Sequence, residues 1–231
     1  MSRCFNRRGK SQPDRHGGTV DMHDLTADLC GRLLDRFWTA LPARSSGSVI
    51  QICSPQAGDG ATTLAIHLSR TWASSATDTR VLLIDAAMRS PFIHRLEGVA
   101  NAPGLREVLS REVSLAEAIQ TVEPGNLSVM STGAPWQLAS CHISQWEALT
   151  AQLRAQYTLT LVDSGSLDLE STAAVLGGAC DGIVLVVRAG KTQRRAATEA
   201  ADRLRDTGRV LGVVLNDATV ALPRWLRTSF S

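Results

Sequence analysis

Lysine is scarce in this chain: of 24 basic residues, only Lys10 and Lys191 are lysines. A site that needs an ammonium group has two places to find one. Tyrosine is scarcer still, with Tyr157 alone, which excludes a cluster of phenolic side chains. The five cysteines, Cys4, Cys30, Cys53, Cys141 and Cys180, lie far apart, are odd in number and form no Cys-x-x-Cys pair. That pattern argues against a disulfide framework or a structural zinc site and fits isolated reduced thiols. No apolar run approaches the roughly 18 residues of a membrane-spanning helix, and the N-terminus lacks the apolar stretch of a signal peptide. A cytoplasmic protein is expected. The net charge of +2 gives no electrostatic case for nucleic acid.

What is present is an ordinary globular composition, 231 residues with 44% hydrophobic side chains, enough for one α/β domain with a full core. Residues 1–21 are polar, basic and glycine-containing and read as a disordered tail; residues 22–231 read as one domain. In "MHDLTADLCGRLLDRFWTAL" (22–41), Leu25, Leu29, Leu33, Phe37 and Leu41 recur every four residues, with Cys30, Leu34 and Trp38 beside them. This predicts an amphipathic helix packed on the domain, with Asp28, Arg32 and Arg36 left to bias self-association.

Strands and helices then alternate. Apolar strands are predicted at 48–54, 80–86, 126–131, 158–163, 182–188 and 210–216. Helices fall after the first strand, over 104–120 in two short pieces, and over 143–157, about 169–179 and 192–208. Ser114 and Glu117 have capping-box spacing, and Gly208 marks a helix end. Strands that are apolar throughout and separated by helices imply a doubly wound, mostly parallel α/β sheet covered on both faces. Ligands bind such sheets at the carboxyl ends of the strands. The polar residues of interest fall there: the loop after the first strand, Asp85, Asp163, Lys191 and Asn216.

The stretch "SPQAGDGATT" (54–63) has the parts of a phosphate-binding loop. Glycines let backbone N–H groups turn toward an anion, a helix N-terminus stands behind them, and a hydroxyl is available for Mg²⁺. Gly58, Asp59 and Gly60 form the turn, and Thr62 and Thr63 offer the hydroxyls. The lysine position holds Ala61. Asp163 ends its strand where a carboxylate orients Mg²⁺, so Thr62 and Asp163 are the candidate metal residues. Asp85 and Asp163 are also the candidate catalytic carboxylates, and each has a plain alternative as a turn or cap aspartate.

From about Ser48 to Asn216 the sequence resembles the bacterial tyrosine kinases and chain-length regulators of capsule and exopolysaccharide synthesis, within the MinD/ParA class of P-loop ATPases. "SPQAGDGATT" is similar to the family's phosphate loop. "VLLIDAAMRSP" is similar to its Asp-x-Asp-x-Arg-x-Pro motif, and "APGLREVLSREVSLAEAI" to a Pro-Gly-Leu segment of the polysaccharide branch. "LSVMSTGAP" and "GVVLN" fit as well. The resemblance implies a sheet in which the strands at 158–163 and 182–188 flank the one at 48–54. It implies ATP or ADP with Mg²⁺ at Gly58–Thr63, with Asn216 beside them. It also implies self-association and a membrane partner, a Wzz-like polysaccharide co-polymerase or another export component, that recruits the protein to the inner face of the membrane.

The departures all touch catalysis. Ala61 replaces the lysine, Ala87 replaces the second aspartate of Asp-x-Asp, "VDSGS" stands in the Mg²⁺-orienting segment, and no tyrosine cluster is present. A hydrogen bond to a charged group contributes about 1.5–3 kcal/mol, so losing the lysine weakens ground-state binding roughly ten- to a hundredfold. Phosphoryl transfer loses more, because it depends on charge neutralisation at the γ-phosphate. The expected protein is a degenerate family member with weak or absent nucleotide binding. An active ATP-dependent tyrosine kinase or ATPase, and a MinD/ParA-like positioning protein, are the alternatives. Lys191, after the strand at 182–188, is the candidate replacement cation; Arg188 is placed within that strand and Arg89 within the second motif.

Overall fold

A computed structural model describes residues 22–41, 46–75, 78–123, 125–136, 142–169 and 173–218, with side chains from Asp28 onward. The tail at 1–21 and the C-terminal residues from 219 lie outside the described residues.

Among the described residues, seven strands form one sheet in the order β3-β4-β2-β5-β1-β6-β7. They are β1 (Ser48–Ser54), β2 (Val81–Asp85), β3 (Ile119–Val122), β4 (Leu127–Met130), β5 (Leu159–Ser166), β6 (Gly182–Arg188) and β7 (Val210–Asn216). All neighbours are parallel except β3 and β4. β5 and β6 flank β1, as the resemblance implied. β1 and β2 are buried at every position, because helices cover both faces and side chains alternate between them.

The helices are α1 (Met22–Ala40), α2 (Ala61–Ser75), α3 (Ile93–Glu97), α4 (Leu105–Leu109), α5 (Leu115–Ala118), α6 (His142–Gln156), α7 (Ala173–Gly177) and α8 (Arg194–Thr207). Ile50, Ile52, Leu83, Leu161 and Val184 point to one face and pack with Ala65 and Leu68 of α2 and with α1. Val49, Leu82, Ile84 and Val162 point the other way, toward Leu105, Trp146 and Leu153. Cys53, Leu185 and Leu204 continue that layer under α8.

Two sequence expectations need correction. The second short helix ends at Ala118, and Ile119–Val122 pairs antiparallel with β4. An edge strand of four residues, three half-buried and one exposed, carries too little periodicity to separate it from the preceding helix. On α1 the buried stripe is Cys30, Leu34 and Phe37, with Leu41 beside it, while Leu29 is exposed. A strict four-residue repeat drifts around a helix of 3.6 residues per turn, so the side that meets α2 follows the 30-34-37-41 spacing instead. The α1 face is closed by Trp38 against Trp72, ring centroids 5.1 Å apart. Arg32 pairs with Asp28 at 2.6 Å on the exposed side.

Candidate functional site

The carboxyl ends of β1, β2, β5, β6 and β7 lie side by side along one edge of the sheet. The segment 55–60 leaves β1 and turns into α2. Gly58 (φ 85°) and Gly60 (φ 103°) adopt the left-handed backbone that glycine tolerates. A Cβ at Gly60 would run into the amide of Asn216.

Asp59 is buried and ties the loop down. Its carboxylate accepts the Gln56 N–H at 3.1 Å and the Thr192 hydroxyl at 2.8 Å. Its carbonyl accepts the Asn216 amide at 3.0 Å. The other end of the Asn216 amide accepts the Asp217 N–H at 2.9 Å. Asp59 and Asn216, both read from sequence as nucleotide residues, thus hold the loop in shape. Thr62 and Thr63 open the first turn of α2, with Thr62 facing Asp163.

The two candidate carboxylates are cross-strand neighbours, Asp85 on β2 opposite Asp163 on β5. Both are fully buried. Asp85 accepts three backbone N–H groups, from Ala87 (3.1 Å), Phe92 (2.9 Å) and Ile93 (3.0 Å). Burial raises its pKa and those hydrogen bonds oppose the rise. Asp163 accepts the Gly165 N–H at 3.1 Å through one oxygen, while its other oxygen has no partner among the described residues. Burial, reinforced by the charge of Asp85, pushes Asp163 up to about 7, with Thr62 and Gly165 pulling the other way.

Between the loop and these strands lies a cleft of about 210 Å³, lined by Gly58, Gly60, Thr62, Ala87, Ser90 and Ser166 among others, none of them charged among the described residues. Ala61 and Ala87 both border it. The residues fit a nucleotide phosphate. The amides at the start of α2 carry the positive end of a helix dipole, Thr62 offers a hydroxyl, and a buried carboxylate oxygen stands unpartnered behind it. Thr62 and Asp163 are the residues placed to hold Mg²⁺, which would supply positive charge to phosphate oxygens. A larger groove of about 610 Å³ lies between α4–α5 and α6, where none of these residues sits.

Lys191 is exposed beyond the end of β6, its N–H donating to the Arg188 carbonyl at 3.2 Å. The sequence reading weighed Arg188 against Lys191 and set it aside as lying within its strand. Its guanidinium turns out of β6 onto the loop and donates to the Gly58 carbonyl at 3.5 Å and to Asp217 at 3.1 Å. The sequence signal was position: Arg188 is the last residue of its strand, where side chains escape the sheet. Thr192 was missed, and nothing in its local sequence marks it as a partner of Asp59.

Glycines in left-handed turns between a buried parallel strand and a helix, with a carboxylate ending β2 and another beside it on β5, define a P-loop domain of the MinD/ParA type. Within that class, the chain belongs to the bacterial polysaccharide tyrosine-kinase family. It is 31% identical over 170 residues, 72% of this chain and 71% of the relative, to tyrosine-protein kinase YwqD of Bacillus subtilis. The kinase domain of Escherichia coli tyrosine kinase ETK shares the fold with a TM-score of 0.73, covering 85% of this chain and 79% of that one at 24% identity. A plasmid partition protein from Borrelia burgdorferi follows at TM-score 0.59 and 19% identity, covering 79% and 87%. No protein-family model matches the chain.

Proposed function

We propose that this protein is a regulatory or scaffolding component of exopolysaccharide or capsule synthesis and export. Its phosphate loop keeps a weak affinity for ADP or ATP with Mg²⁺ and has lost phosphoryl transfer. The observation that carries the reading is the cleft itself, which presents no charged side chain where the family pattern has a lysine and a second aspartate. Backbone amides and a helix dipole remain to bind a phosphate. The charges that would neutralise a transferring γ-phosphate do not. Tyr157, the one tyrosine of the chain, is half-buried, and burial raises its pKa, so it is poorly placed to accept a phosphoryl group.

No described helix is long and apolar enough to cross a membrane. On this reading the protein acts in the cytoplasm and reaches the inner face of the membrane through a Wzz-like co-polymerase or another export component. The exposed Asp28, Arg32 and Arg36 of α1 bias its self-association.

Calorimetry with ADP and ATP, with and without Mg²⁺, and a phosphotyrosine assay test the proposal. Weak, metal-strengthened binding without phosphotyrosine is expected. Phosphotyrosine that forms with Mg-ATP and disappears in Asp163→Ala would overturn it.

A further inference from the structure

A nucleoside diphosphate brings concentrated negative charge to a loop whose lysine position holds Ala61. Three described cations stand near the strand ends. Arg89 donates to the Leu169 carbonyl at 3.3 Å, across the loop that follows β5. Lys191 is exposed, and its ammonium meets no partner among the described residues. Arg188 touches the phosphate loop through its guanidinium.

Arg188 is tied to that loop twice. Its guanidinium reaches the Gly58 carbonyl at 3.5 Å. Its N–H donates to the Thr192 hydroxyl at 2.7 Å, and that hydroxyl donates to Asp59 at 2.8 Å. The arginine therefore moves with the Gly58–Asp59 turn. Its remaining partner is Asp217, paired through two nitrogens at 3.1 and 3.0 Å. Both members of that pair are open to water, at 41% and 59% exposure, and exposed pairs of this kind hold weakly. A guanidinium prefers the fork geometry of phosphate oxygens and is more easily desolvated than an ammonium.

We propose that Arg188 supplies the phosphates of a bound nucleoside diphosphate with the positive charge that position 61 lacks, exchanging Asp217 for phosphate oxygens. Asp217 holds the arginine ready and competes with the ligand for it. The inference rests on the reading that the loop binds nucleotide, and it removes Lys191 from that role.

Calorimetry with ADP and Mg²⁺ at low ionic strength tests it on wild type, Arg188→Ala, Arg188→Lys, Asp217→Asn and Lys191→Ala. Thermal melts confirm that each variant is folded. Arg188→Ala should weaken binding about tenfold or more, with part of the loss recovered in Arg188→Lys. Asp217→Asn should tighten binding about two- to fivefold by releasing the guanidinium. Lys191→Ala should stay within about twofold of wild type. If wild type binds ADP and Arg188→Ala binds it equally well, or if Lys191→Ala shows the loss instead, the inference falls and the nucleotide site stands. If wild type binds no ADP and Ala61→Lys restores none, the site and the inference fall together.

Discussion

Asp85 ends β2 and Asp163 lies beside it in register on β5; both are buried, yet their surroundings differ. Asp85 is saturated. Three backbone N–H groups point at its carboxylate and fold residues 86–93 around it. Among the described residues, one oxygen of Asp163 has no partner; Asp163 lies beside Thr62 and the phosphate loop. A buried charge is tolerated when the backbone satisfies it. One left half-satisfied costs the fold stability. The same residue type is thus a saturated structural knot on β2 and a half-satisfied carboxyl on β5.

The strongest way to break that comparison is to remove the knot. Asp85→Ala leaves the amides of Ala87 and Ile93 buried without acceptors, at about 1–3 kcal/mol each. A loss on the order of 3 kcal/mol or more in urea unfolding is expected, with part regained in Asp85→Asn. An unchanged unfolding midpoint in Asp85→Ala would mean that the amides find other partners and that the contrast with Asp163 is false.

Gly60→Ala asks whether the loop must keep its shape for Asp163 to matter. It forces a side chain into left-handed backbone and against the Asn216 amide, at a cost of about 2 kcal/mol. Nucleotide affinity should fall with it. Retained affinity would show that the clasp of Asn216 on Asp59 is dispensable.

For Asp163 the expected stability effect is smaller and of opposite sign. Its pKa rises from the ordinary 3.8 to about 7, so between those values the folded state holds a proton that the unfolded state releases. This group's contribution to stability is fullest below about pH 4 and is lost as pH rises toward 7. Asp85 shifts in the same direction. Urea midpoints followed from about pH 5 to pH 8 should fall in wild type and fall less in Asp163→Asn, which at the upper end should be the more stable by about 1 kcal/mol. A wild-type midpoint that climbs over this window would contradict the assignment of an unsatisfied buried carboxyl.

The smallest effect belongs to a pair that is neither knot nor ligand group. Arg32→Ala on the exposed face of α1 breaks an ion pair in open water and should cost less than about 0.5 kcal/mol. Any effect on sedimentation should appear without a matching change in unfolding. A large stability loss would place Arg32 in packing rather than at a surface free for association.

Much of this was legible in the chain. The apolar runs of β1, β2 and β6 announce themselves because a strand covered on both faces must be apolar on both. The glycines of 58–60 announce the turn because few other residues tolerate its backbone. Ser114 and Glu117 cap each other at the expected spacing, Glu117 accepting the Ser114 N–H at 2.8 Å and its hydroxyl at 2.6 Å. Capping is local, and local chemistry is written locally. β3 was not legible, because its structure comes from pairing with β4 across the sheet edge.

The sequence by itself determined the class: an alternating α/β pattern, a phosphate-type loop, and carboxylates in the strands beside it. Only the tertiary structure decided which members of that set are held and which are open. Asp85 and Asp163 differ through partners supplied by segments on either side of them. Asn216 reaches Asp59 across 157 positions of chain, and Arg188 reaches Gly58 across 130. The physical reason is that residue type sets what a side chain can bond to, while the fold sets which partners remain within the few ångströms where a bond forms.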